Sequence, residues 1–401
     1  MALTKPVVTS GLDRLLGDPH YASHLGRLRG ARVGLLVNPT SVTRELVHAI
    51  EALTAAGVNI TRLFGPEHGV RAEAQDMEAV TESTDPISGL PAISLYGHTF
   101  ESLSPSQEHL EDLDIVIADI QDIGTRYYTY AYTVGLMMEA CGKAGVEVWV
   151  LDRPNPLGGE VLEGNIVHPE CVSFVGMKPL ATRHGMTLGE LARLFDAEFG
   201  WSCELEVISM NGWKRSMWFD ETGLPWVMPS PNMPTLDTAI VYPGQCLLEG
   251  TNMSEARGTT RPFELFGAPY IDSVKLGERM EGYGLDGVAY RLVSFKPMFQ
   301  KHAHAICRGL QVHVTDRDAF RSLEFSLCLI SACLEVAPDG FGWREQAYEF
   351  VEDVPAIDLL LGDLKVRQQL EAGENPREIF AGMAADREAF EAQRAEFLIY
   401  D

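Results

Sequence analysis

The stretch GPEHG, residues 65–69, sets a carboxylate and an imidazole, Glu67 and His68, directly behind the apolar run ITRLF, with Arg71 close after them. Gly65 and Pro66 stop an extended segment, so the pair is presented from a strand end rather than along a strand face. A carboxylate framed this rigidly suits general acid–base work. Polar groups recur in the same setting. RVGLLVN ends in Asn38, AISLYG in Tyr96, and EVWVLDR in Asp152 with Asn155 following. DIVIADI runs into Asp119, Gln121, Asp122 and Arg126 of DIQDIGTR. Each of these residues alone has a plainer use as a helix cap or turn former. Five consecutive strand ends delivering polar groups to one edge point instead to a cleft, because open parallel sheets bind ligands beyond the carboxyl ends of their strands.

A second concentration lies in residues 229–269, PSPNMPTLDTAIVYPGQCLLEGTNMSEARGTTRPFELFGAP, which holds Asn232, Glu249, Asn252, Glu255, Arg257, Arg261 and Glu264. This segment reads as an elaborate loop between domains, of the kind that builds a site rather than a linker. Tyr127, Tyr128, Tyr130 and Trp226 can stack on sugar faces, although tyrosines at helical spacing equally fill a core. Carboxylates, aromatics and arginines in one cleft fit glycoside hydrolysis, which uses two carboxyl groups flanking the scissile bond. Strand-end chemistry by itself fits other hydrolases as well.

Several classes are disfavoured. The first strand–helix turn, VNPTSVTRE, has no glycine where a dinucleotide site needs GxGxxG, and neither GxxxxGK[ST] nor GxSxG occurs. No HExxH or CxxC is present, and His302 and His304 of KHAHAIC read as a surface pair, so neither a metal nor a cofactor is expected. A net charge of −25 repels nucleic acid and anionic membranes. No apolar run reaches the roughly 18 residues of a membrane helix. Seven scattered cysteines and an N-terminus without a basic-then-apolar pattern lead to the expectation of a cytoplasmic protein with reduced thiols and no signal peptide.

The positioning elements follow from the pattern. At 401 residues with 46% apolar and 22% charged content, two domains are expected. Strands are predicted at 32–38, 60–65, 92–97, 114–120, 147–153 and 203–210, alternating with helices at 43–57, 127–145 and 187–200. Continuous Val/Ile/Leu strands between helices imply a parallel sheet covered on both faces. Beyond Phe266 come a short helix at 273–283, alternating strands at 288–295 and 309–316, a long apolar helix at 320–336 and a charged helical tail. The fold class is therefore α/β: a Rossmann-like parallel-sheet catalytic domain over residues 1–265, then a smaller α+β domain over 266–401 that closes the cleft.

GPEHG, DIQDIGTRYYTY, DRPNPLGG, RHGMTLGELA, PSPNMPT and LLEGTNMSEARGTTRPFELFGAP together resemble the NamZ-type exo-β-N-acetylmuramidase family of bacteria, formerly a domain of unknown function. GLQVHVTD and FVEDVPAIDLL extend the resemblance over nearly the whole chain. It implies a Rossmann-like N-terminal domain, a smaller C-terminal domain, a site in the cleft between them, and release of N-acetylmuramic acid from the non-reducing end of peptidoglycan fragments without a cofactor. By motif, Glu67 is the leading catalytic residue, with His68 beside it. Glu249, Glu255, Asp119 and Asp122 are further catalytic candidates. Asn38, Gln121, Tyr128, Asp152, Asn155, Asn232 and Asn252 are implied to contact substrate. The second catalytic group is one of these carboxylates or the 2-acetamido group of the sugar itself.

Recognition of the lactyl carboxylate of muramic acid against a charge of −25 calls for a cation, with Arg71, Arg126, Arg257 and Arg261 as candidates, each equally able to pair with a neighbouring acid. Val70 and the AEAQDME run depart from the family pattern after GPEHG and bear on the shape of the pocket. The alternative function is a non-catalytic muropeptide-binding or sensing protein on the same scaffold.

Overall fold

Uninterrupted Val, Ile and Leu runs build the centre of the principal sheet. In the computed structural model, which describes residues 8–72, 74–75, 77–80 and 83–401, the strands of this sheet are β1 (Arg32–Val37), β2 (Asn59–Gly65), β3 (Ser83–Thr84), β4 (Pro91–Ser94), β5 (Ile115–Asp119), β6 (Glu147–Leu151) and β7 (Leu205–Ile208). Residues 1–7, which bear on the leader reading, and Glu73 and Asp76 of the AEAQDME run lie outside the described residues. The order is β3-β4-β2-β1-β5-β6-β7, parallel throughout except for the β3–β4 pair. The chain therefore moves outward from β1 through β2 to β4 and then crosses back to β5. That reversal opens a crevice beyond the carboxyl ends of β1 and β5, the Rossmann arrangement anticipated from the sequence.

Successive residues of β1 point to opposite faces. Val33, Leu35 and Val37 enter one core with Leu12, Leu53 and Trp149. Leu36 enters a larger core with Phe64, Val116 and Val150 that continues without a break into Phe325 and Leu327 of the C-terminal half. A smaller antiparallel sheet, β8-β10-β9, is made of β8 (Leu265–Ala268), β9 (Val288–Phe295) and β10 (Cys307–Val314), with helices Ser273–Glu281 and Ser322–Val336 packed on it and on one another. The α+β character of this half is as expected.

Four local expectations need correction. The helix predicted over 43–57 begins only at Ala49, because residues 43–48 form a turn and His48 Nδ1 caps the Ile50 amide. The strand predicted over 92–97 ends at Ser94. Two further helices, Gly11–Gly17 and Ala22–Arg29, precede β1, where the apolar pattern predicts no element. The supposed loop 229–269 contains the helix Leu236–Gln245, a 3₁₀ turn at Cys246–Gly250, and β8. Pro243 inside that helix disguised it. The helix packs on Ser322–Val336 so closely that a β-carbon at Gly244 would lie 1.9 Å from the Ser322 carbonyl oxygen. Tertiary packing outweighs weak intrinsic propensity here.

Candidate active site

Glu67 occupies the turn that follows β2, closed by the Gly69 amide donating to the Pro66 carbonyl at 2.9 Å. A β-carbon at Gly65 would stand 2.7 Å from the Val70 nitrogen, so glycine is what lets the turn fold back on the strand end. His68 takes the left-handed backbone (φ 73°) that such a turn usually reserves for glycine. Its Nδ1 lies 3.0 Å from the Ala74 carbonyl. A carbonyl only accepts, so Nδ1 is the donor in this contact. Glu67 Oε2 accepts from the Thr129 hydroxyl at 2.9 Å, and Oε1 is 3.5 Å from the Met77 amide.

These groups form one wall of a cavity. Tyr127, Tyr128 and Tyr130 come from the end of the DIQDIGTRYYTY stretch, Ser230 and Asn232 from PSPNMPT, and Glu249, Arg257 and Phe263 from the segment beyond it. Tyr348 and Glu349 complete it from the C-terminal half. Tyr128 meets Tyr130 and Tyr242 edge-on at 4.8 and 5.9 Å, and Tyr242 meets Phe263 at 4.8 Å. Burial raises the pKa of Tyr127, Tyr128, Tyr130, Tyr242 and Tyr348, which keeps the phenols protonated as donors. Glu249 is held at both oxygens, by Arg257 Nη2 at 2.6 Å and by the Tyr348 hydroxyl at 2.7 Å.

Two adjoining family descriptions match the chain, "Exo-beta-N-acetylmuramidase NamZ, N-terminal" over residues 33–237 and its C-terminal counterpart over 240–400. It is 44% identical over 397 residues to a protein of Bacillus subtilis (strain 168) named peptidoglycan beta-N-acetylmuramidase NamZ, covering 99% of this chain and 92% of that one. The chain belongs to the NamZ exo-β-N-acetylmuramidase family. Two crystal structures of DUF1343 family proteins from Bacteroides fragilis share its fold. One aligns with TM-score 0.86 at 32% identity, the other with 0.74 at 28%, each covering 98% of this chain and 99% of its own. The family resemblance carried by GPEHG and the longer motifs is thus confirmed.

Within this NamZ fold, Glu67, His68, Tyr128, Asn232, Glu249 and Arg257 are brought together at the cavity. Glu255 stands behind it, bound by Lys301 Nζ at 2.9 Å and 3.4 Å from Arg257 Nε. The other candidates lie outside it. Asp119 makes a two-pronged pair with Arg153 at 2.6 and 2.9 Å, fully buried. Asp122 accepts from the Gly124 amide at 2.6 Å and faces His184 at 3.4 Å. Asp152 accepts from Arg153, Thr187, Gly189 and Tyr400 and so ties the end of β6 to residues 187–189 and to Tyr400. Asn38 donates to the Pro229 carbonyl and accepts from Thr40, Asn155 bridges Leu157 and Met186, and Asn252 bridges Tyr270, Gly340 and Gly342. Gln121 and Trp226 line a separate cavity. Polar groups do converge on one edge of the sheet, but most of them bind one another.

The arginines divide in the same way. Arg126 is sunk among carbonyls, Arg261 pairs with Glu264 at 3.0 Å, and Arg71 grips Asp85 at 2.8 and 2.9 Å. Arg71 holds the Asp85 carboxyl well below its ordinary value near 3.8. A lowered folded-state pKa adds stability that is present above the unfolded value and lost as pH falls below it. Arg71→Ala should therefore cost about 1.5–3 kcal/mol at neutral pH, with the difference from wild type shrinking below about pH 4. Urea denaturation across that range checks this; a pH-independent difference would contradict it.

Thr129, Ser230, Tyr242, Tyr348 and Glu349 were not singled out as site residues from the sequence. Thr129 lies inside a motif already noticed and was readable. Tyr348 and Glu349 lie in REQAYEFVEDVP, one acidic run among many in a chain with 57 acidic residues. His302, in contrast, turns its ring to the Asn252 carbonyl at 2.8 Å. Among the described residues no group of three or more His, Cys, Asp or Glu side chains takes a metal-holding arrangement.

Proposed function

We propose that this chain is an exo-acting glycosidase that hydrolyses the bond linking a non-reducing terminal N-acetylmuramic acid to the rest of a peptidoglycan fragment. The observation that carries the reading is Glu67: a carboxyl on a rigid strand-end turn, one oxygen held by Thr129, facing a cavity walled with phenols. In this reading Glu67 protonates the leaving glycosidic oxygen, a role worth about 10²–10⁴-fold in rate. The tyrosines supply flat apolar faces and donor hydroxyls, the combination that sugar rings require. Residues 1–265 carry the acid, and residues 266–401 close the cavity through Tyr348 and Glu349. A cavity closed in this way suits a chain end rather than a polymer running through.

Peptidoglycan fragments are the partners we assign. A charge of −25 speaks against nucleic acid and anionic membranes, and no described helix is long and apolar enough to cross a bilayer. All seven cysteines are unpaired and six are buried, which supports a reducing compartment such as the cytoplasm. The deciding assay compares an aryl N-acetylmuraminide with the matching N-acetylglucosaminide. Release from the first alone is expected, and equal release from both would overturn the assignment of the sugar.

Choosing the acidic sugar in a cavity with three glutamates demands a cation. Among the described residues Arg257 is the arginine or lysine that lines the cavity. Arg257→Ala should narrow the muraminide preference in kcat/KM by about tenfold or more, since a site built around a polar group discriminates by it. Alanine at Arg71, Arg126 or Arg261 should leave that ratio unchanged. If Arg257→Ala also leaves it unchanged, backbone amides become the better candidates for the lactyl carboxylate.

A further inference from the structure

Three glutamates line the cavity: Glu67, Glu249 and Glu349. A glycosidase that works with protein carboxylates needs two, one to protonate the leaving oxygen and one on the opposite face of the sugar. Glu249 is anchored at both oxygens by Arg257 and Tyr348. A carboxylate fixed at both oxygens by a guanidinium and a phenol is tied into the wall, with neither oxygen left to turn toward a water.

Glu349 is built differently. Residues 348–351 form a turn in which the Tyr348 and Val351 amides each donate to the other's carbonyl at 3.0 Å. Both central residues have left-handed backbones, Glu349 at φ 47° and Phe350 at φ 67°. Turns of this kind favour glycine, asparagine or aspartate, because a β-carbon crowds the following carbonyl. Phe350 has a packing reason to be there: its ring meets Tyr96, Phe100 and Phe174 at 5.8, 6.2 and 6.5 Å. That aromatic cluster fastens the turn and fixes where its neighbour points. Glu349 brings a carboxylate to the turn instead of a ring. It is a buried carboxylate on strained backbone at a cavity wall, and the Tyr96 hydroxyl donates to its Oε2 at 3.0 Å. Groups this costly to fold persist where they serve a function. Tyr96 follows β4, so the sheet edge that presents Glu67 also aims a carboxylate arriving from the opposite half of the chain.

We propose that Glu349 is the second carboxylate of the reaction, the base that takes a proton from the attacking water. This rests on the glycosidase reading above. The water oxygen bonds to the anomeric carbon as one of its protons passes to Glu349. The glycosidic carbon–oxygen bond breaks, its electron pair stays on the leaving oxygen, and that oxygen takes the proton of Glu67. One proton arrives at Glu349 and one departs from Glu67, and exchange with solvent restores both. Attack from the face opposite the leaving group inverts the anomeric configuration.

The product formed by the wild-type enzyme tests this without any variant. Proton NMR during hydrolysis of an aryl β-N-acetylmuraminide should show the α-anomer first, and initial release of the β-anomer would overturn the base role. Glu349→Gln keeps the volume and an acceptor for Tyr96, and should melt as wild type does. Its kcat should fall about 10²–10⁴-fold. The acidic limb of its kcat/KM profile should flatten, with Glu67, His68, Glu249 and Arg257 unaltered in the cavity. In Glu349→Ala, azide should restore aryl release and yield the inverted glycosyl azide, a rescue that a purely structural residue would not give. A Glu349→Gln enzyme within about threefold of an active wild type, its acidic limb intact, overturns this inference alone. A wild type that releases nothing from the muraminide overturns the glycosidase reading and this inference with it.

Discussion

Glu67→Gln lowers kcat on an aryl N-acetylmuraminide by about 10²–10⁴-fold and leaves the melting transition where it was. Glutamine reproduces the shape of glutamate, and its amide oxygen can still accept from the Thr129 hydroxyl that holds Oε2 at 2.9 Å. The turn itself depends on Gly65, on the Pro66–Gly69 hydrogen bond and on the His68 backbone, none of which the substitution touches. What disappears is the proton. The loss should shrink for substrates whose leaving group needs little protonation, such as a dinitrophenyl glycoside, because such a group departs without acid assistance. An unchanged kcat in a folded variant would remove Glu67 from the chemistry.

Arg126→Ala costs about 3–5 kcal/mol of stability and leaves the preference between the two sugars as it was. This guanidinium is 1% exposed and donates to four carbonyls: Asn165 at 2.7 Å, Leu180 at 3.0 Å, Leu360 at 2.9 Å and Leu361 at 3.0 Å. Leu360 and Leu361 end the helix Ala356–Leu361, where unpaired carbonyls and the negative end of the helix dipole favour a cation. That helix packs on the turn Cys246–Gly250, which carries Glu249. Arg126 therefore ties the DIQDIGTR loop to the wall of the cavity from behind. Burial lowers its pKa, and the four carbonyls offset that desolvation. Alanine would strand them in a dry interior, and lysine, with a single compact charge, would not reach both pairs. Urea denaturation gives the loss directly. A variant as stable as wild type but with an altered sugar preference would return Arg126 to the role of substrate clamp.

Both expectations depend on features of different legibility. β1, β5 and β6 were readable because buried parallel strands need near-continuous apolar runs, and β2 because Leu63 and Phe64 precede a glycine–proline stop, both local signatures. The station of Glu67 was readable for the same reason, since a glycine–proline stop after such a run leaves the next side chain at the strand end. The capping box of Thr187 and Glu190 likewise starts its helix from residues three apart. The helix Leu236–Gln245 was not readable, because its stability comes from contact with Ser322–Val336 rather than from its own composition.

What no stretch of sequence could decide was the pairing of charges. Asp119 and Glu67 follow similar apolar runs, yet Arg153 closes on the first while the second faces a cavity. Arg71 follows GPEHG and Arg257 lies in LLEGTNMSEARG, yet the first closes on Asp85 while the second pairs with Glu249 at the cavity wall. Glu349 has no local mark at all apart from a turn written in the wrong residues. The sequence determined the sheet, the strand-end turn and the kind of chemistry, because these depend on side chains a few positions apart. Only the tertiary structure decided which carboxylates and guanidinia neutralise one another and which are left for a substrate, because an ion pair forms between whichever partners the fold brings within about 4 Å, however far apart they lie along the chain.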